Sequence, residues 1–267
     1  MPYVTKTNNR GRTIIMPPLT QFLGPFFSAN GSSSYYQKLS DEHKILEEFI
    51  TKLPEFFYFE QRWHYGFQNW LPFYWNGFLQ TTKYTYVLNS ISETDRIWKA
   101  MKTTARNEIK KAEQELSIHT DHDAEGMYRF IKSGLKRKEI TIPYSENLLK
   151  SLFNECAKRN CGKLYWARDA KNQLVAGILV VWDKSTCYYL LGSSAENMNN
   201  YGLRLLIWNA IQEAGKIVST FDFEGSMVKG VEHFFRTFGT EQKGYFEITK
   251  VNSSLLKLKQ VFRALKK

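Results

Sequence analysis

FDFEGSMVKGVEHFFRTFG, residues 221–239, changes its hydrophobic period in the middle, and the reading of the whole chain turns on that change. Ile217 to Phe223 is dense in β-branched and aromatic residues, as a strand requires. Gly225 and Ser226 punctuate it, and Val228 to Phe238 has the spacing of a short helix. A strand that turns directly into a helix sets the side chains of the turn at the mouth of a sheet. Here these include Asp222, Glu224 and Ser226, two carboxylates and a hydroxyl in a position suited to acid/base work. Alternation along an extended strand would put Asp222 and Glu224 on one face. Asp222 is equally suited to bracing the turn, so both readings stand.

Upstream, a helix is expected over Met198 to Ala214, with Leu203, Leu206, Ile207, Ala210, Ile211 and Ala214 on its buried face and Gly215 ending it. Before it, Lys163–Arg168, Gln173–Trp182 and Thr186–Leu191 read as three strands joined by polar turns, an antiparallel meander. Helices are expected over Ala124–Arg137 and Glu146–Arg159, and a short strand at Ile118–Thr120. The longest helix is predicted from Glu93 to Leu116, capped by Ser92. One side of it carries Lys99, Lys102, Arg106 and Lys110, which is either a solvated face or a wall for phosphates. Downstream come a strand at Gln242–Lys250 and an amphipathic helix from Asn252 to Leu265.

The first part of the chain is different in texture. Strands at Pro2–Thr7 and Arg12–Met16 flank a turn, and a helix is expected over Asp41–Leu53. Phe56 to Tyr86 then holds a dense run of Phe, Tyr and Trp. Rings of this kind stack on bases or sugars, but the run lacks interleaved basic residues, which favours packing in a sheet core.

Composition narrows the classes. Hydrophobic content of 43% with 15% aromatic supports a packed core and excludes a disordered or fibrous protein. A net charge of +11 would attract anionic partners: phosphorylated cofactors, nucleotide sugars, tRNA or an anionic lipid surface. The three cysteines, Cys156, Cys161 and Cys187, form no CxxC pair, and with no long apolar run the expected location is the cytoplasm. The five histidines form no ligand cluster and HExxH is absent, so no metal is expected. No recognition helix or zinc motif accompanies the charge, which argues against DNA.

Three stretches resemble the GNAT superfamily, in the branch related to the Fem-type peptidoglycan aminoacyl transferases: TARNEIKKAEQEL at 104–116, VAGILVVW with YYLLGSS at 175–182 and 188–194, and the opening stretch at 221–239. The resemblance implies an α/β fold with a mixed, largely antiparallel sheet flanked by helices. It also implies two packed GNAT-like units, an incomplete one at residues 1–88 and an acyltransferase unit at residues 89–267. The implied activity is direct transfer of an acyl group from an activated donor to an amine, without a covalent enzyme intermediate. The donor would be an acyl-CoA or, as in the Fem-type enzymes, an aminoacyl-tRNA acting on a cell-wall precursor. A degenerate, non-catalytic binding protein is the reading from another class.

Glu224 and Asp222 are expected to serve proton transfer from their place at the turn, while by the same resemblance Phe235 and Arg236 stand where the family places an aromatic ring and a cation against the developing negative charge. Ser193, Ser194, Asn199, Tyr201 and Gly202 would meet the donor. Arg106, Lys110 and Tyr189 would meet the acceptor, a small or nucleotide-linked molecule. One departure stands out: the usual [QR]-x-x-G-x-[GA] turn is here Asn199-Asn200-Tyr201-Gly202-Leu203-Arg204, with only Gly202 fitting and Arg204 where a small residue belongs.

Overall fold

The computed structural model describes residues 1–8, 11–27, 34–136, 139–196 and 200–252. The chain opens with β1 (Val4–Asn8), β2 (Gly11–Ile15), α1 (Tyr35–Thr51), β3 (Tyr58–Arg62), α2 (Leu71–Trp75) and β4 (Leu79–Asn89). Then come α3 (Thr94–Ala100), α4 (Thr103–Glu115), β5 (Ser117–Asp121), α5 (Ala124–Lys136) and α6 (Glu146–Lys158). The remainder is β6 (Gly162–Arg168), β7 (Leu174–Trp182), β8 (Thr186–Ser194), α7 (Tyr201–Ala214), β9 (Thr220–Asp222), α8 (Lys229–Arg236) and β10 (Glu241–Val251). The ten strands are mostly antiparallel, with parallel pairing at β2–β3 and β8–β9.

Two compact units are formed, Met1–Tyr84 with Gly244–Lys267, and Thr85–Lys243. In the first, β1 pairs with β2, β2 with β3 and β3 with β10. Phe59, Trp63, Phe73 and Phe78 make its core with Ile14, Leu46 and Ile248. The rings meet edge to face, Trp63 on Phe73 at 4.9 Å and Phe73 on Phe78 at 4.8 Å between centroids. Core packing is therefore the fate of these aromatics, each contributing roughly 1.5–3 kcal/mol by burial. The single-turn helix α2 inside this run was not signalled by any helical period, since five residues are too few to show one. The helix expected from Asp41 begins six residues earlier, because the Ser34 hydroxyl accepts from Gln37 N–H and caps α1.

In the second unit the strands run β4-β9-β8-β7-β6-β5. Val175 to Val180 of β7 are all buried, as a strand covered on both faces must be. α7 packs on β6, β7 and β8, while α5 packs on β7 and β8. Gly202 makes the approach of α7 possible: a Cβ there would lie 2.9 Å from Val175 Cγ1 and 3.1 Å from Ala176 Cβ.

The long helix expected from Glu93 to Leu116 is two helices. Met101 is extended (φ −63°, ψ 146°) and so is Lys102 (φ −57°, ψ 137°), and the basic stripe is split with them. The break has a tertiary cause that no local propensity reveals. Lys102 N–H bonds to Thr237 O at 2.9 Å, and the Ala100 backbone sits against Gly239. Nor does Ser92 cap the first of them; Glu93 holds that place without a side-chain cap bond. The strand expected over Ile217–Phe223 is reduced to Thr220–Asp222, because the Ile217 and Val218 amides bond back to Ala214 O. α7 is described from Tyr201, and the amphipathic helix expected over 252–265 lies almost wholly outside the described residues.

Gly239 has φ +76°, and a Cβ there would lie 2.9 Å from Ala100 C and O. Gly239→Ala is expected to lower the unfolding free energy by about 1–3 kcal/mol, from the left-handed backbone and the contact together. A urea titration measures it, and an unchanged midpoint would show that the α3–α4 break does not depend on this approach.

Candidate active site

The site forms where β8 and β9 part. Their parallel pairing covers Thr186↔Thr220, Cys187↔Phe221 and Tyr188↔Asp222. β9 then stops, whereas β8 continues to Ser194 along β7. A bulge lies at the point of divergence: Leu179 faces Leu191 and Val180 faces Tyr189, leaving Leu190 as the extra residue in β8. Such a bulge bends its strand and re-aims the side chains beside it. Tyr189 to Ser194 consequently have no strand on their second edge among the described residues.

β9 ends because two successive residues adopt left-handed backbone, Glu224 at φ 57° and Gly225 at φ 62°. Phe223 N–H makes a last bond to Tyr86 O, and the chain then leaves the sheet. A glutamate in this conformation is strained by the order of 1 kcal/mol and needs support. Asp222 supplies it. Its Oδ1 accepts from Thr85 Oγ–H at 2.5 Å and from Glu224 N–H at 2.7 Å, while Oδ2 is buried without a hydrogen-bond partner. Asp222 is thus the brace of the turn. The common face expected for the two carboxylates does not exist, since Glu224 is no longer in extended backbone.

Burial drives both acids upward. Asp222 is fully buried and its carboxyl is raised to about 6, with the Thr85 and Glu224 hydrogen bonds acting the other way. Glu224 is densely surrounded although part of its surface remains open. Its carboxyl stands well above the ordinary range, first from desolvation and then from the charge of Asp222. Paired acids whose affinities are displaced in this way are a general acid/base arrangement.

Phe235 is buried between Phe223 (5.1 Å), Tyr189 (5.9 Å) and Tyr86 (6.5 Å). It is a wall of the site floor. Tyr189 meets it edge-on, and burial raises the phenol. The Tyr189 hydroxyl lies where a Cβ of Gly192 would be, at 1.9 Å, so this glycine is required and was not singled out from the sequence. Arg236 is exposed and its Nε bonds to Glu232 Oε1 at 2.6 Å; no ion pair joins it to Asp222 or Glu224 among the described residues. Glu232 Oε1 also accepts from the Tyr86 hydroxyl at 3.1 Å, which itself accepts from Gln242 Nε2 at 2.7 Å.

Ser193 and Ser194 lie on the open part of β8, opposite Gly177 and Ala176. Tyr201 and Gly202 begin α7, and Asn199 lies outside the described residues. Arg204 resolves the departure at this turn. Its guanidinium points inward, with Nε to Glu108 Oε2 at 2.6 Å, NH1 to Thr237 Oγ1 at 2.5 Å and the Phe234 ring 4.5 Å beneath. It locks α7 to α4 and to the end of α8, and leaves the α7 N-terminus without a side-chain cap from Asn200. Arg106 is turned to a structural task as well, reaching the Trp98 and Lys99 carbonyls at 3.5 Å and Thr103 Oγ at 3.2 Å at the end of α3. Lys110 is exposed on α4. Among the described residues no group of three or more His, Cys, Asp and Glu could hold a metal ion, and no helix is long and apolar enough to cross a membrane.

The fold is shared with solved structures of low sequence identity. FemX superposes with a TM-score of 0.67 at 11% identity, over 92% of this chain and 83% of that one. The C-terminal domain of a putative lysylphosphatidylglycerol synthetase from Agrobacterium fabrum gives 0.58 at 9% identity, over 97% and 83%. L-PGS from Bacillus licheniformis gives 0.57 at 9%, over 96% and 86%. At these identities the likeness shows a shared fold. The chain belongs to the acetyltransferase (GNAT) domain family, whose model matches residues 99–236. No curated protein matches it in sequence.

Asp222 titrates near 6 in the fold against 3.8 ordinarily. Its neutral form is the one the interior favours, so its contribution is fully present below pH 3.8 and is lost as pH rises through about 6. Asp222→Asn, which retains an oxygen acceptor without the charge, should gain on the parent by about 3 kcal/mol between pH 3.5 and pH 7.5. Denaturant titrations at the two pH values test this; a gap that does not change with pH would mean that Asp222 is not raised.

Proposed function

We propose that this protein is an acyltransferase that moves an acyl group from an activated ester or thioester directly to an amine, with Glu224 accepting the amine's proton. The carrying observation is the Glu224 turn: a carboxyl held well above its ordinary range, in strained backbone, at the point where β8 and β9 part. Strain and a displaced pKa at one residue mark a position maintained for chemistry rather than for stability.

In this reading the donor lies along the open edge of β8 between Tyr189 and Ser194, beside the start of α7 at Tyr201 and Gly202. Main-chain N–H groups along that edge are suited to the donor's carbonyl and to the oxyanion of the tetrahedral intermediate. The acceptor amine attacks the carbonyl, Glu224 takes the proton, and the intermediate expels the donor's thiol or hydroxyl. Asp222 acts through Glu224, holding its backbone and raising its affinity for the proton. Phe235 and Tyr189 form the floor. Arg236, paired with Glu232, is a candidate for a charged acceptor or the oxyanion once Glu232 releases it. Lys110 and Arg106 on α4 are retained as candidates for an acceptor's phosphates, Lys110 with the greater freedom.

Acyl-CoA, the usual donor in the GNAT family, fits this reading because Arg204 is buried and does not fill the turn before α7. A second reading, aminoacyl transfer from tRNA, is supported by the likeness to FemX and by the lysylphosphatidylglycerol synthetase fold relatives. In both, the first unit, Met1–Tyr84 with Gly244–Lys267, is a GNAT-like companion of the catalytic unit.

Thermal-shift titration with acetyl-CoA, longer acyl-CoAs and a UDP-linked muropeptide separates the donors, since a ligand of the native state raises its stability. A rise with a CoA ester identifies thioester chemistry; a rise with the muropeptide alone identifies the Fem-type reaction; no response to any would favour a non-catalytic binding protein. With the donor known, Glu224→Gln is expected to lower kcat by about 10²–10⁴-fold while leaving the ligand-induced shift in place. For the parent, kcat/KM should climb with pH through the raised pKa of Glu224, because the base acts ionised. Full turnover in the Gln variant would remove Glu224 from the mechanism.

A further inference from the structure

α6 ends in a turn that sets two cysteines against each other, and the proposed reaction uses neither. The helix stops at Lys158, Arg159 is its C-cap, and Asn160 takes left-handed backbone at φ 51°. Asn160 N–H then bonds to Ala157 O at 3.1 Å and Cys161 N–H to Cys156 O at 2.9 Å. These two bonds make a Schellman motif, in which the side chain three positions before the cap meets the one two positions after it. The two positions are Cys156 and Cys161, and a contact that is commonly apolar is here made by two thiols.

Their surroundings distinguish the pair from ordinary packing. The two side chains are hydrogen-bonded to each other, so they already meet the first condition for being bridged. Gly162 follows directly at the start of β6, and a Cβ there would lie 2.7 Å from Cys156 Cβ; α6 comes this close to β6 because position 162 is glycine. Each sulfur belongs to a different element. Cys156 is in the last turn of α6, while Cys161 O accepts from Trp182 N–H of β7 at 2.9 Å. Both cysteines are half-buried, whereas Cys187 lies inside the core of the second unit. A cysteine kept for packing alone is ordinarily fully buried, and a half-exposed pair in contact is open to an oxidant in solution.

We propose that Cys156 and Cys161 are a site of reversible oxidative modification, a dithiol that a low-molecular-weight disulfide such as oxidised glutathione converts to an intramolecular disulfide joining the last turn of α6 to the residue before β6. In the first step Cys161 loses its proton and its sulfur attacks one sulfur of the oxidant, forming a mixed disulfide and expelling one thiol, which takes up the proton. Cys156 then attacks the Cys161 sulfur, closes the bridge and expels the second thiol with its own proton. Two protein thiols are oxidised and one disulfide is reduced to two thiols. Cys161 opens the sequence because Cys156 is raised to about 11, first by burial and then by the neighbouring Cys161. The Arg159 guanidinium, paired with Glu155, lies close enough to act on both sulfurs and favours a thiolate there. The inference does not depend on the catalytic reading.

The test is thiol accounting on the full chain, treated with oxidised glutathione, unfolded in acid, alkylated and mapped by mass spectrometry. Free thiols in the parent should fall from three to one, with Cys187 the survivor, Cys156 linked to Cys161 within one chain, and all three restored by dithiothreitol. In Cys156→Ser the reaction should stop at the first step, leaving glutathione on Cys161. In Cys161→Ser, glutathione should reach Cys156 at least about tenfold more slowly than it reaches Cys161 in the other variant. The parent's own count decides the matter even if a variant folds poorly, and the thermal transition of each variant is compared with the parent. Three free thiols after treatment overturn the proposal and reduce the pair to a small apolar contact. So does glutathione that persists on the parent, or a bridge that involves Cys187 or a second chain.

Discussion

Asp222 is the constraint on which the rest of the site depends. One oxygen of its buried carboxyl receives the Thr85 hydroxyl from β4 and the main-chain amide of Glu224 from the turn, so a single group fastens the end of β9 to its neighbour and sets the backbone that follows. The cost appears in the same residue, as an unpartnered second oxygen and a carboxyl raised to about 6. A well-satisfied neutral side chain would brace a turn with less penalty. What the acid adds is an electrostatic influence on Glu224, whose proton affinity is raised first by burial and further by the second carboxylate beside it.

Around that turn the second unit is organised by close approaches. β7 is apolar throughout because α7 and α5 both lie on it, and α7 comes near enough to need glycine at position 202. The opposite solution is found two residues on. Arg204 is buried, yet every contact it makes is of a kind that compensates a charge: an acid, a hydroxyl and an aromatic face. That cation joins α7 to α4 and to Thr237 at the C-cap of α8, which carries Phe235 to the site floor.

The first unit shows aromatic residues in two roles within a few positions of each other. Phe73 and Phe78 hold a core together by edge-to-face packing, whereas Tyr74 and Trp75 face outward from the same turn of helix. Helical geometry alone separates them, since neighbours in sequence differ by about 100° in direction. The rigidity of the inner rings is what lets the outer ones present a defined surface.

The sequence by itself determined the order of elements in the second unit, the antiparallel meander of β6 to β8, the aromatic core of the first unit and the turn at Glu224. Each is written in local terms: a period of two or of three to four, a glycine, a run of β-branched residues. The family too was legible there, through the resemblance of the stretch at 221–239 to its members. Only the tertiary structure decided where α3 breaks from α4, since the amide of Lys102 finds a partner 135 residues away in Thr237. It likewise decided that Arg106 serves a helix end, that Arg204 is buried, that Arg236 is paired with Glu232, and that Asp222 braces the turn at Glu224. The physical reason is common to all of these. Periodicity reports which face of an element is apolar, but the partner of a charged or polar group is set by which distant element folds against it, and no local pattern records that.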